Sequence, residues 1–179
     1  MDTTETAPSP NIEAALTRRE YLRRRYLSLG TGELVAAVTF AGVFGLYTSS
    51  SSSLRPAALT LWLSFLPLEF ILIQGGIYWL AARDWVKRSC MPPVLACSFA
   101  VLTWVNPLLL LAATGMLFWQ RPAGSAAALA VGCVVFGAIE YVNYFWIRLS
   151  YPWKSWARHV TQWRCSRLRH DLATARTSR

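Results

Sequence analysis

Four apolar stretches, each long enough to cross a lipid bilayer as a helix, constrain this chain more than any other feature. A helix rising 1.5 Å per residue needs about 20 mostly apolar residues to traverse about 30 Å of hydrocarbon. The stretches fall at about 26–48, 57–82, 93–119 and 125–148. None alternates strictly, and each exceeds strand length, so helix is the expected form. Lipid also demands that every backbone polar group be satisfied within its own segment, which a helix does. Composition agrees: the chain is 54% hydrophobic and 15% charged, too little polar material to coat a soluble globule. Hydrophobicity at that level excludes disorder over the whole length. The expected fold class is an all-α integral membrane protein, a four-transmembrane-helix bundle with N-terminal and C-terminal cytoplasmic amphipathic helices.

The first span is the weakest. Thr31, Gly32 and Glu33 interrupt its start, and its unbroken apolar part is Leu34–Tyr47. The serines at 49–53 are compatible with a cleavage site, but about 25 residues precede this span, long for a signal peptide, so a retained anchor is expected.

Charge sets the threading. Arg18, Arg19, Arg23, Arg24 and Arg25 precede span one, and Arg83, Lys87 and Arg88 lie between spans two and three. Eight more cations follow from Arg148 onward, whereas the other two loops hold only Arg55 and Arg121. Sixteen of the eighteen Lys and Arg thus fall on one side. The cation-rich side stays cytoplasmic, so both termini and the middle loop are expected there, in the cytoplasmic membrane. Trp79, Trp85, Trp119, Trp146, Trp153 and Trp156 stand near span ends, as aromatic rings at headgroup level do. Trp62 and Trp104 lie deeper, and ordinary packing is their expected role.

Residues 1–11, polar and holding Pro8 and Pro10, are expected to be disordered. A cytoplasmic interfacial helix is expected over 12–25, with Asn11 as N-cap and Glu13 in the favourable first turn. After span four, Tyr151-Pro152 is expected to redirect the chain. Over 151–179 a basic, Trp-rich segment follows. Trp153, Trp156, Val160 and Trp163 share one helical face, which makes Trp153, Trp156 and Trp163 membrane-interface anchors. Lys154, Arg158, Arg164, Arg167 and Arg169 are the candidates for lipid headgroups, with 164–179 read as a basic tail. The expected partner is a bilayer with an anionic inner leaflet. A membrane-protein partner or a second copy is left open. Nucleic acid is not expected, because threading already accounts for most of the +9 net charge.

Soluble-type catalytic chemistry is not legible. Cys90, Cys97, Cys133 and Cys165 include no C-x-x-C pair. His159 and His170, with Cys165, stand among arginines, poor company for a cation, so no metal and no cofactor are expected. No phosphate-binding glycine loop or nucleophile elbow occurs.

The chemistry that is present lies inside the spans. Glu33 continues a small-residue stripe through Ala37, Ala41 and Gly45, and Glu140 ends one through Ala126, Ala130, Cys133 and Gly137. Such stripes let membrane helices approach closely, so both acids are expected to face the bundle interior. Helix rise places Glu69 with Asn106 near the midplane, and Glu33, Gln74, Glu140 and Asn143 in a second layer nearer the cytoplasm, beside Tyr141 and Tyr144. No Lys or Arg of the spans reaches these depths. Glu33, Glu69, Gln74, Asn106, Glu140, Asn143 and Tyr144 therefore form the candidate site, either interhelical hydrogen-bonding or proton and cation binding. Pro107 removes one helical hydrogen bond beside Asn106 and frees a carbonyl for either role. The leading expectation is a non-enzymatic accessory or scaffold protein. A small proton- or cation-coupled carrier is the alternative, and a lipid-modifying enzyme with Glu140 as base is a distant third.

Overall fold

The computed structural model describes residues 10–86, 90–146 and 166–177, with side-chain surroundings from residue 18 to 175 within them. Trp153, Trp156, Trp163, Lys154, Arg158, Arg164 and the stretch 1–9 lie outside the described residues. Among those described, the regular elements are helices: α1 (Pro10–Ser50), a 3₁₀ turn (Ser52–Ala57), α2 (Ala58–Trp85), α3 (Pro93–Gln120), α4 (Gly124–Phe145) and α5 (Arg167–Thr177). Four of them, α1 to α4, are long and apolar enough to cross a membrane, as a small membrane protein requires.

The elements end where the sequence supplies a reason. The serine run at 49–53 closes α1, and Pro56 sits in the tight turn that follows. Pro93 opens α3 at its first position, where a missing N–H costs nothing and the ring's fixed φ suits a helix. Arg121 ends α3 in the left-handed region at φ 45°, and Pro122 prevents continuation.

Two boundaries differ from expectation. The interfacial helix expected over 12–25 and the first span form one uninterrupted helix of 41 residues, about 62 Å long, or twice the hydrocarbon thickness. Asn11 consequently lies inside the first turn rather than at the cap, with Pro10 opening the helix. The other difference is α5: the tail expected over 164–179 is helical from Arg167 to Thr177 and packs on the bundle.

The helices run alternately up and down, and α2 is the hub. It packs antiparallel to α1, with Gly76 against Gly30 near one end and Phe65 stacked on Phe44 at 4.2 Å near the other. It packs antiparallel to α3 as well, with Tyr78 against Phe99. Its contact with α4 is parallel: Leu68 meets Gly137, and seven residues further along both helices Gly75 meets Tyr144. The α4 stripe of Ala126, Ala130, Cys133 and Gly137 is buried as the spacing predicts, and Ala37 of α1 is buried too.

Two aromatic-rich cores result. The distal one, under the 3₁₀ turn, gathers Phe44, Leu54, Leu61 and Phe65 with Ala126 and Ala130. The proximal one, at the end that carries α5, gathers Tyr26, Tyr78, Trp85, Phe99, Tyr144 and Phe145 with Leu168 and Ala175. Trp62 packs on Phe44 and Phe65 as expected, although 38% of it stays exposed. Trp104 does not: it is 75% exposed. Trp85, the last residue of α2, is buried in the proximal core.

Candidate functional site

The polar residues of the four long apolar helices separate into three groups. Gln74 and Asn106 form the first. The Gln74 Nε2 donates to Asn106 Oδ1 at 3.0 Å, and Asn106 Nδ2 returns a bond to Gln74 Oε1 at 2.9 Å. Both amides are buried and the pair closes on itself between α2 and α3. This changes the expected layering, which set Asn106 beside Glu69. Glu69 stands apart, half-buried, with its Oε2 buried and without a hydrogen-bond partner.

Pro107 clarifies a second group. Lacking an N–H, it leaves the carbonyl of Thr103 without its helical donor. The Tyr141 hydroxyl of α4 donates to that carbonyl at 2.9 Å, and Trp146 Nε1 donates in turn to the Tyr141 oxygen at 3.0 Å. The freed carbonyl therefore serves as a tie between α3 and α4 rather than as an open ligand.

The third group is the candidate site. It lies at the proximal end and draws on α1, α2, α4 and α5. Glu140 Oε2 accepts a bond from Asn143 Nδ2 one turn along α4, at 3.3 Å. Glu33 of α1 and Glu140 lie within electrostatic reach of each other and of Tyr144. Tyr144 is buried against Gly75. Glu33 and Trp79 lie near its hydroxyl, but neither meets it in bonding geometry, so the hydroxyl is an orphan inside the fold. A cavity of ≈ 60 Å³ opens beside it, lined by Glu33, Asn143, Tyr144, Tyr78, Trp79 and Arg167 among others. A water needs about 10–15 Å³ of such space and two to four polar partners, and both are supplied here.

The helix α5 completes this end. Ser166 precedes it and caps it: its Oγ accepts from Arg169 N at 3.2 Å, while its own N–H bonds Trp146 O at 3.2 Å. Leu168 and Ala175 then point inward with Asp171 between them. Asp171 Oδ2 accepts from Tyr78 OH at 2.9 Å and from Trp85 Nε1 at 3.0 Å, both on α2. Its Oδ1 pairs with Arg167 Nε at 3.1 Å. Burial pulls the Arg167 pKa down, but the Asp171 carboxylate together with Tyr26 and Tyr78 outweighs it and holds the guanidinium above its ordinary range. A buried carboxylate with three donors is a strong fastening, because each donor is charge-assisted.

Of the sequence candidates, Glu33, Glu140, Asn143 and Tyr144 come together, while Gln74 and Asn106 pair elsewhere and Glu69 stands alone. The sequence reading found no cation near the acids; Arg167, read as a lipid contact, lines the same cavity as Glu33 and pairs with Asp171. Arg169 lies over the Trp146 ring, 5.2 Å from its centroid. Asp171, Tyr78 and Trp85 were missed. The available signal was Leu168, Leu172 and Ala175 recurring at helical spacing behind Ser166, a good cap.

Fold and site together define a small chain, helical among the described residues, with four helices long and apolar enough to cross a membrane and a polar cluster at its proximal end. No family model, curated protein or solved structure matches the chain, so its role rests on these residues alone.

Proposed function

We propose that the chain is a non-enzymatic accessory or scaffold protein of the cytoplasmic membrane, with both termini in the cytoplasm. One observation carries this reading: α1 and α5 bring their cations to the same end of the bundle as fixed elements. The 41-residue α1 continues through Arg18, Arg24 and Arg25, which are exposed, and Arg19 Nε ties it to Val86 O at the end of α2, at 3.2 Å. The helix α5 is locked through Asp171. A rigid basic platform suits an acidic partner or leaflet, because the charges are held in place before contact. In gentle detergent the wild-type protein is expected to co-purify with a stoichiometric partner, and Arg24→Glu/Arg25→Glu to lose it while retaining the melting temperature. Recovery of a lone chain from the wild type overturns the reading.

A second reading has its own support. The cavity beside Glu33, with Glu140 nearby and an orphan tyrosine hydroxyl, favours a hydrated proton or cation site. A carrier of this kind should give pH-gradient-dependent flux in proteoliposomes, abolished by Glu140→Gln. Absence of flux for proton and monovalent cations removes it.

A further inference from the structure

A groove of ≈ 560 Å³ lies between α3, α4 and α5, apart from the glutamate cavity. Its volume falls in the range of small-molecule sites, about 300–1,000 Å³. Trp104 and Pro107 of α3, Phe145 of α4, and Leu172 of α5 form its apolar walls, and Arg169 is the one charged residue lining it among the described residues. Thr103 and Tyr141 also line it, but the Thr103 carbonyl and the Tyr141 hydroxyl proton are spent on each other.

Arg169 makes no ion pair among the described residues, unlike Arg167 two positions earlier. Its guanidinium rests on the Trp146 ring, which orients the fork while leaving its in-plane N–H groups for an acceptor. A planar guanidinium held this way matches a phosphate by paired hydrogen bonds. Among the described residues the groove wall offers no carboxylate to an ammonium. Trp104, 75% exposed on α3, places the apolar wall where acyl chains run if α3 spans the bilayer.

We propose that this groove binds one membrane glycerophospholipid with a net-negative headgroup, its phosphate on Arg169 and an acyl chain along Trp104 and Pro107. The inference rests on the platform reading only in setting this end at an anionic leaflet; it adds a defined site with a stoichiometry of one.

The test uses the full chain, stripped of lipid in detergent and titrated with phosphatidylglycerol or phosphatidylcholine of identical acyl chains, read by native mass spectrometry. One phosphatidylglycerol per chain is expected, bound about tenfold more tightly than phosphatidylcholine, whose choline ammonium offsets the phosphate charge beside Arg169 and meets no carboxylate among the described lining residues. Arg169→Gln, at an exposed position, should erase that preference. Ala173→Trp, with unchanged circular dichroism and melting, should fill the groove and reduce binding of both lipids. Arg24→Gln/Arg25→Gln should leave the preference intact, although these residues carry the platform. Retention of the preference in Arg169→Gln, or its loss in Arg24→Gln/Arg25→Gln, overturns the site in favour of diffuse attraction. Partner loss on reversing Arg24 and Arg25 is read separately, so either proposal can fail alone.

Discussion

Gly75 lies directly against the ring of Tyr144: a Cβ built on Gly75 would stand 2.5 Å from Tyr144 Cζ and 2.8 Å from its hydroxyl oxygen. The next residue does the same on the other side of α2. A Cβ on Gly76 would stand 2.8 Å from Leu34 Cγ and 3.2 Å from the Gly30 carbonyl. Two adjacent glycines thus let α2 approach α4 and α1 at one level, which is why Tyr144 and Glu33, from different helices, share a cavity wall.

Gly75→Ala should therefore destabilise the bundle by about 1–3 kcal/mol, the usual cost of overpacking a filled core. The ring of Tyr144 is buried and cannot swing aside as a leucine end can. Gly42→Ala is the control, since nothing lies within 4 Å of a Cβ there. Combining Gly75→Ala with Tyr144→Ala should give less than the sum of the two losses, because one change makes room for the other. Thermal unfolding in detergent measures all four variants. Additive losses would mean that the two residues do not meet.

Asp171→Ala tests the fastening of α5. It leaves the Tyr78 hydroxyl and the Trp85 indole N–H buried without their acceptor, and each orphan costs about 1–3 kcal/mol. That exceeds what an 11-residue helix can supply on its own, since isolated helices below about 12–15 residues are marginal. The expected result is local: faster proteolysis within 166–177, with α1 to α4 still resistant. Unchanged cleavage would show that apolar contacts of Leu168 and Ala175 suffice.

What the sequence revealed and what it hid have separate physical causes. Spans two to four were legible to within about three residues because length and hydropathy act locally. The inward stripe ending at Glu140 was legible because helical periodicity fixes which residues share a face. The pairing of Gln74 with Asn106 was not, since relative helix stagger depends on packing, and helix rise gives depth only relative to each helix's own midpoint. The role of Asp171 was hidden for a further reason. Its partners Tyr78 and Trp85 are 93 and 86 positions away, and a basic composition made the segment read as a solvated tail. The Trp104 expectation failed because burial statistics for aromatics assume water outside the fold, whereas a tryptophan on the outer face of a helix apolar enough to cross a membrane would carry no such penalty in lipid.

The amide pair predicts an asymmetry between single and double variants. Gln74→Leu or Asn106→Leu leaves one buried amide unpaired and should cost about 1 kcal/mol, within the range measured for hydrogen bonds between membrane helices. Gln74→Leu/Asn106→Leu removes both polar groups and should recover most of that loss, since apolar replacement of a whole pair is close to neutral. Unfolding free energies from a denaturant series provide the comparison. A double variant as unstable as the two singles combined would mean that the amides act independently.

Threading gives the last prediction. The proximal end carries the arginines of α1 together with α5, while Arg55 lies in the 3₁₀ turn and Arg121 in the short α3–α4 connection at the distal end. Cys90, exposed between α2 and α3, belongs to the proximal end, and Ser53, exposed in the 3₁₀ turn, to the distal one. If the cation-rich end is cytoplasmic, a membrane-impermeant maleimide applied to intact cells should label Ser53→Cys in a cysteine-free background. With Cys97, Cys133 and Cys165 replaced by serine, Cys90 should label only after permeabilisation. Labelling of Cys90 in intact cells would invert the orientation. The basic platform would then face away from the cytosol and from the anionic leaflet, and the proposed lipid would have to be supplied by the opposite leaflet.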